Sequence, residues 1–287
     1  MGLLDGKVVI VTGAGGGIGR EHSLALSKEG AAIVVNDLGG ARDGTGAGHT
    51  MAEKVVAEIK AAGGEAVANF DDVSSMAGAR GILATALGSF DRVDAVVNNA
   101  GILRDKSFAN MGEDLWDIVV KVHLRGTFCV SQVVYAHLKE RARGGVIVNT
   151  SSTSGLNGNF GQTNYGAAKA GVFGFSRCLS IEGKKYGIRV FVLAPVALTR
   201  LTEDLVGFDD EKMKARMNPA LVSPLVTYLV SDLSKDLSGQ TFFVGGGRIA
   251  EMRMVTHTGV TKAEQGGLWS AREIAEKMNP GGILLPD

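Results

Sequence analysis

Short β-branched runs recur along the chain, and each is followed by a stretch with helical spacing. Lys7–Thr12 (KVVIVT) shows no apolar–polar alternation, the mark of a strand buried on both faces. Ile18–Glu29 follows with helical spacing and is closed by Gly30. Ala31–Asn36 is a second buried strand, Met51–Ala62 a helix, and Ala66–Asn69 a short third strand. Ser75–Leu87 is a helix capped by Ser74, and Val93–Asn98 a fourth strand. Asp114–Arg141 carries one long helical pattern through Leu115, Ile118, Val119, Val122, Cys129, Val130, Val133 and Val134. Val146–Thr150 and Ile188–Leu193 are strands flanking a helix over Asn164–Tyr186. A helix near Pro219–Leu229 and a strand at Thr241–Val244 complete the series, and a further helix is expected near Ser270–Met278.

Strands alternating with helices require right-handed βαβ units and a parallel sheet covered on both faces. The expectation is an α/β fold: one doubly wound, Rossmann-type domain over residues 1–247, with seven parallel strands. Residues 248–287 read as a C-terminal extension packed on the same domain or on a neighbouring subunit. The outer faces of the two longest helices carry Val130, Val133, Val134, Val172, Phe173 and Phe175, more apolar surface than one sheet face covers. A homodimer or homotetramer is therefore expected.

Composition narrows the class. Thirty Lys+Arg balance thirty Asp+Glu, so the basic excess of a nucleic-acid binder is absent. No apolar run is long enough for a membrane-crossing helix, and Met1–Asp5 lacks the basic start of a signal peptide. The expected location is cytoplasmic. Cys129 and Cys178 lie in apolar helical patterns without metal-site spacing, so no metal is expected and both read as small core residues. Glycine is abundant at 41 residues, in keeping with tight βα turns and close backbone approach to a ligand.

Thr12–Gly19 (TGAGGGIG) lies between the first strand and first helix, where a pyrophosphate meets a helix N-terminus. Gly13 permits the turn, Gly17 and Ile18 line the approach, and Gly19 lets helix and strand pack closely. Asp37 ends the second strand and suits the ribose hydroxyls of NAD, while repelling the 2′-phosphate of NADP. Arg42 reads as solvated. Asp72 and Val73 either bracket an adenine or form a polar turn.

Tyr165 and Lys169 are four apart on one helix, so they share a face. Ser152 lies just beyond the fifth strand, at the sheet edge where doubly wound folds bind ligands. A neighbouring ammonium is expected to lower the phenol pKa, making Tyr165 a base. Together with Thr12–Gly19 and Asn98–Gly101 (NNAG), these residues make the chain resemble the short-chain dehydrogenase/reductases over about residues 5–247. The resemblance implies that Asn99, Ala100 and Gly101 border the cofactor and that Asn99 stabilises the fourth strand. It implies that Lys169 bonds the nicotinamide ribose, and that Pro195 and Thr199 lie near the carboxamide. The family's usual asparagine in the long fourth helix is His123 here, either a prop for the active site or the holder of a relay water. The usual Pro-Gly after the sixth strand is Pro195-Val196.

A narrower resemblance rests on VVNDLGG, NNAGILRDKSF, VHLRGTF and GNFGQTNYGAAK. These are similar to the (3R)-hydroxyacyl-CoA dehydrogenase modules of the peroxisomal multifunctional enzymes of type 2, also known as 17β-hydroxysteroid dehydrogenases. The resemblance implies NAD-dependent interconversion of a 3-hydroxyacyl-CoA and a 3-oxoacyl-CoA, as in β-oxidation-type lipid or sterol side-chain catabolism. Other readings are a steroid substrate, reduction of an acyl-carrier-protein thioester, or a silent NAD-binding regulator. Leu284–Asp287 is not a peroxisomal signal, and a free-standing enzyme is expected. Thr199–Met217, with Leu205 and Met213, reads as either a mobile lid over the substrate or a packed amphipathic helix. Arg104 and Lys106 either meet CoA phosphates or are solvated.

Overall fold

All five residues of β1 (Val8–Thr12) are buried, and the sheet assembles on both sides of it. The computed structural model describes residues 2–40, 43–46, 48–198, 211–256, 261–262 and 267–277. β2 (Ala32–Asn36) pairs with β1 in parallel, Val8 opposite Ala32 and Thr12 opposite Asn36, and β3 (Ala66–Asn69) lies outside β2. The chain then crosses back, so β4 (Ala95–Asn98) lies on the other side of β1. β5 (Gly145–Thr150), β6 (Ile188–Pro195) and β7 (Thr241–Gly245) extend the sheet from there. The strand order is β3-β2-β1-β4-β5-β6-β7-β8. The reversal between β1 and β4 opens the crevice in which doubly wound folds bind ligands.

The unalternating strands are explained by two cores. Val9 and Val11 face α1 (Gly17–Lys28), α2 (Thr50–Ala61) and α9 (Ser223–Val230), packing near Leu26, Ile59 and Leu229. Val8 and Ile10 face α3 (Met76–Phe90) and α5 (Gly126–Arg141), near Ile82, Val130 and Val134. Each fully buried aliphatic side chain contributes roughly 1.5–3 kcal/mol. Strand-end asparagines close this interior beneath the crevice. Asn36 Nδ2 donates to Asn69 Oδ1 at 2.8 Å. Asn98 Nδ2 donates to Asn149 Oδ1 at 2.8 Å, and Asn149 donates to Ser176 Oγ at 2.8 Å.

The sheet has eight strands rather than seven. β8 (Arg248–Met252) runs antiparallel to β7 after a turn in which Gly246 and Gly247 take φ of +60° and +77°. Left-handed backbone at both turn positions suits a hairpin and favours glycine. Its outer edge is largely exposed, so RIAEM has no buried apolar run to mark it. The sheet thus continues to Met252, past the boundary expected at 247. The long helix expected over 114–141 is also divided, into α4 (Glu113–Val120), a π-helical turn at Lys121–Arg125, and α5. Ser75, not Ser74, caps α3 by accepting from Gly78 N at 3.0 Å. Cys129 is buried as expected, whereas Cys178 is exposed. A short α8 (Glu211–Arg216) precedes α9. A second unit, Arg253–Asp287, contains α10 (Ala271–Lys277), with Glu273 paired to Lys262 at 2.8 Å.

His22, on α1, is fully buried with Nδ1 2.9 Å from Ser223 Oγ of α9. Burial pushes its pKa down to about 3. The unfolded chain binds this proton below about pH 6.5 and the folded chain does not. The stability present above pH 6.5 is therefore lost toward pH 3, by about 1.4 kcal/mol per pH unit. His22→Asn keeps a polar group for Ser223 but does not titrate. Its melting temperature is expected to fall less steeply than wild type between pH 6.5 and 4; parallel slopes would exclude His22 as the cause.

Candidate active site

The loop between β1 and α1 is shaped by contacts that only glycine permits. Gly13 has φ +62°, and a Cβ there would lie 2.7 Å from the Ala100 Cα. A Cβ on Gly19 would lie 2.2 Å from the Gly13 carbonyl oxygen. Asn99 Nδ2 donates to the carbonyls of Thr12 and Gly13, both at 3.1 Å. Thr12 Oγ1 returns the link by accepting from the amides of Asn99 and Ala100. The asparagine thus binds the end of β4 to the glycine loop, as the resemblance implied.

A cleft open to solvent runs over this loop. Gly13, Gly17, Ile18, Asp37, Asp72, Val73, Asn99, Ala100 and Gly101 all line it, as do Ile102 and Asn36. Asp37 Oδ2 accepts from Gly15 N and Oδ1 from Gly39 N, each at 2.7 Å. Each oxygen keeps a lone pair for a hydroxyl in the cleft. Asp72 borders the cleft and forms a polar turn, its carboxylate accepting from Ser74 N and Oγ at 2.8 and 2.7 Å. Pro195 ends β6 opposite Val244 and is not among the lining residues. Thr199, Leu205 and Arg42 lie outside the described residues, as does the side chain of Met213.

Ser152, Tyr165 and Lys169 meet at the C-terminal end of β5. Ser152 caps α6 (Thr153–Asn157), its Oγ accepting from Ser154 N at 3.1 Å, and shares a hydrogen bond with the Tyr165 hydroxyl. Tyr165 and Lys169 lie one turn apart on α7 (Thr163–Gly183). Lys169 Nζ donates to the Thr150 carbonyl at 2.6 Å and lies 5.6 Å from the centre of the Tyr165 ring. The expectation that the ammonium lowers the tyrosine pKa is reversed by burial. Burial pushes Lys169 down to about 7. Burial first, then Asp105, pushes Tyr165 up to about 12 against the lowering bond from Ser152. The two groups share one poorly solvated pocket, and desolvation opposes charge on each.

His123 sits within the π-helical turn and is buried. Its Nε2 lies 2.8 Å from the Ile102 carbonyl oxygen and 3.0 Å from the Ile102 amide nitrogen. Its ring meets that of Tyr165 edge-on, with centres 5.1 Å apart. Burial, then Lys169, holds its pKa well below 6.5. These contacts support the prop reading. Gly101 permits them, since a Cβ there would lie 2.3 Å from His123 Cε1.

Several site residues carry no periodic signal in the sequence. Buried Asn164 donates to the carbonyls of Arg104 and Leu115, and its Oδ1 accepts from Tyr165 N at 2.7 Å. Ser151 Oγ donates to the Lys169 carbonyl at 2.7 Å. Gln162 Nε2 donates to Asp105 at 2.7 Å, and its Oε1 accepts from Ser154 Oγ at 2.8 Å. Arg104 is partly buried and engaged on one side: its Nε donates to the Asp43 carbonyl at 2.6 Å.

A βαβ crevice, a glycine loop and a Ser–Tyr–Lys cluster at one sheet edge define an oxidoreductase site that takes a nicotinamide dinucleotide. The family model for short chain dehydrogenases matches residues 7–206, and the chain belongs to that family. Members bind NAD or NADP and act on CH–OH groups. The chain is 47% identical to the peroxisomal multifunctional enzyme type 2 of Mus musculus over 249 residues, 87% of this chain and 33% of that one. It therefore spans about a third of that relative. It is 38% identical to the hydroxyacyl-CoA dehydrogenase ChsB1 of Mycobacterium tuberculosis, covering 86% of this chain and 79% of that one. A crystal structure of a short chain dehydrogenase from Mycobacterium avium superposes with a TM-score of 0.84 at 43% identity, covering 96% and 94% of the two chains.

Proposed function

We propose that this enzyme interconverts a (3R)-3-hydroxyacyl-CoA and a 3-oxoacyl-CoA with NAD. The observation that carries the reaction type is the meeting of Ser152, Tyr165 and Lys169 beside the cleft. The substrate class rests on similarity to the hydroxyacyl-CoA dehydrogenase and the multifunctional enzyme. The cofactor choice rests on Asp37, whose carboxylate lines the cleft without a cation paired to it among the described residues. Such a carboxylate accepts two ribose hydroxyls and repels a 2′-phosphate.

The cleft fits a dinucleotide: backbone crowding keeps Cβ atoms out of Gly13 and Gly19, and Gly16 and Gly17, where α1 begins, line it. Bound NAD supplies the hydride acceptor. Ser152 Oγ and Tyr165 Oη hold the substrate oxygen between them, and Tyr165 removes its proton. Above about pH 7 the Tyr165–Lys169 pair holds one proton. Burial opposes charge on each group alone, so phenolate at Tyr165 is favoured only together with ammonium at Lys169, a pair that leaves the net charge of the pocket unchanged. His123 positions Ile102 and the Tyr165 ring. Association into a homodimer or homotetramer is part of the proposal. Val130, Val133, Val134 and Val172 are buried within the subunit and leave no surplus apolar face, so the support comes instead from the exposed Phe128 of α5, which meets Phe175 of α7 edge-on with centres 6.4 Å apart.

The test is turnover of (3R)-3-hydroxyacyl-CoA thioesters against their 3S isomers and free 17β-hydroxysteroids, each with NAD and NADP. The 3R thioester with NAD is expected to lead, with kcat/KM for NAD at least about 100-fold above NADP, roughly 2.7 kcal/mol. Asp37→Ala is expected to erode that ratio. Equal use of both dinucleotides by wild type would refute the NAD assignment, and a better steroid substrate would refute the thioester.

A further inference from the structure

The structure assigns Arg104 a role in retaining the bound dinucleotide: its side chain ties the segment after β2 across the cleft to the loop after β4. The inference rests on the dinucleotide reading of the cleft but not on the thioester substrate.

The segment after β2 forms one rim of the cleft through Asp37, Leu38, Gly40 and Gly44, and Gly101 and Ile102 form the facing rim. At its root the segment is closed by Gly48 N donating to the Leu38 carbonyl at 2.9 Å. A Cβ on Gly39 would lie 1.8 Å from the Gly48 carbonyl oxygen, so this crossing requires glycine. At its far side the segment reaches the opposite rim. Gly44, with φ +83°, approaches Ile102 so closely that a Cβ would lie 3.1 Å from Ile102 Cδ1. Arg104 completes the link with the 2.6 Å bond from Nε to the Asp43 carbonyl, and its Nη2 lies 3.8 Å from the Asp43 carboxylate.

Both ends of this link are themselves held. The Asp43 carboxylate accepts from Thr45 N at 2.9 Å and Thr45 Oγ1 at 2.6 Å, a turn that fixes the backbone presenting its carbonyl. On the other side, the Arg104 carbonyl accepts from Asn164, whose Oδ1 holds the amide of Tyr165. Two residues before Arg104, Ile102 is bonded to His123. Arg104 joins the loop behind Ile102 to the residues beside Gly44, so parting these two rims of the cleft opens the charge-assisted bond. Arg104 is a positioning residue in this sense: it acts on dwell time through the Asp43 segment rather than on reacting atoms.

The experiment measures NADH release from the full chain by stopped-flow fluorescence, with melting temperature as the check on folding. Arg104→Ala is expected to release NADH about tenfold faster, the size of one charge-assisted hydrogen bond, with a smaller change in Kd because the same link also slows entry. Arg104→Lys keeps the charge but not the directed Nε donor, and is expected to fall between the two. Asp43→Ala changes an exposed residue and loosens the turn while leaving the backbone acceptor. It is expected to speed release by a smaller factor, about threefold, and tests the link independently should Arg104→Ala fail to fold. Release within twofold of wild type in folded Arg104→Ala overturns the assignment; should that variant not fold, an unchanged rate in Asp43→Ala does so. Wild type that binds neither NADH nor NADPH would instead defeat the dinucleotide reading itself.

Discussion

Tyr165→Phe is expected to lower kcat by about 10²–10⁴-fold, the scale of losing a general base. The substitution removes one oxygen and leaves the ring edge-on to His123. Dinucleotide affinity is expected to stay within about twofold, because the cleft walls come from the glycine loop, Asp37 and Asn99–Ile102 rather than from the phenol. Wild-type oxidation is expected to rise with pH through an apparent pKa that belongs to the Tyr165–Lys169 pair. Turnover measured beside an NADH fluorescence titration separates the two effects. A folded, NADH-binding variant that keeps most of its turnover would remove Tyr165 from the mechanism.

Lys169→Met is expected to act in opposite directions on activity and stability. Turnover should fall at least about 100-fold, because the amine that takes the phenol proton is gone. The dinucleotide-free protein should become more stable at neutral pH. Burial lowers Lys169 from 10.5 to about 7, so between these values the unfolded chain carries a proton that the folded chain lacks. Stability in wild type therefore rises with pH across that window, and at pH 7 the buried amine costs about 5 kcal/mol. Losing the bond to the Thr150 carbonyl returns about 1–3 kcal/mol of that. A net gain of about 2–4 kcal/mol corresponds to a rise in Tm of at least about 4 °C for a chain of this size. The difference should shrink toward pH 10.5. A variant that melts at or below the wild-type temperature at pH 7 would show that the amine sits there without strain.

The parts legible in the sequence are those fixed by local chemistry. Unalternating β-branched runs such as KVVIVT mark strands covered on both sides, whereas Ala66–Asn69 and Thr241–Val244 lack such runs and are placed by their position in the alternating series. The glycine loop and the Tyr165–Lys169 spacing are likewise local, since turn geometry and helix pitch fix where they point. What was hidden depended on distant partners. β8 is exposed along one edge, so its sequence lacks an apolar run, and its only marker is Gly246–Gly247. Arg104 looked like any surface cation because its acceptor is a backbone carbonyl some sixty residues earlier. The direction of the Tyr165 shift was misread for a related reason. Spacing shows that an amine is near, but not that both groups lie in a pocket where burial opposes charge on each.

The π-helical turn at Lys121–Arg125 changes the rotational phase of the helix that contains it. One residue advances an α-helix by about 100°, so widening a single turn offsets everything beyond it by a comparable angle. Before the turn, Val119 points toward Ala168, Ile102 and the Tyr165 ring. After it, Cys129, Val130, Val133 and Val134 point into the core beneath β1 and β4. A straight helix of the same composition can satisfy one of these surroundings and leaves the other facing the wrong way. The irregular turn lets one continuous segment serve as both a wall of the reaction pocket and a structural beam under the sheet, with His123 at the joint between the two duties.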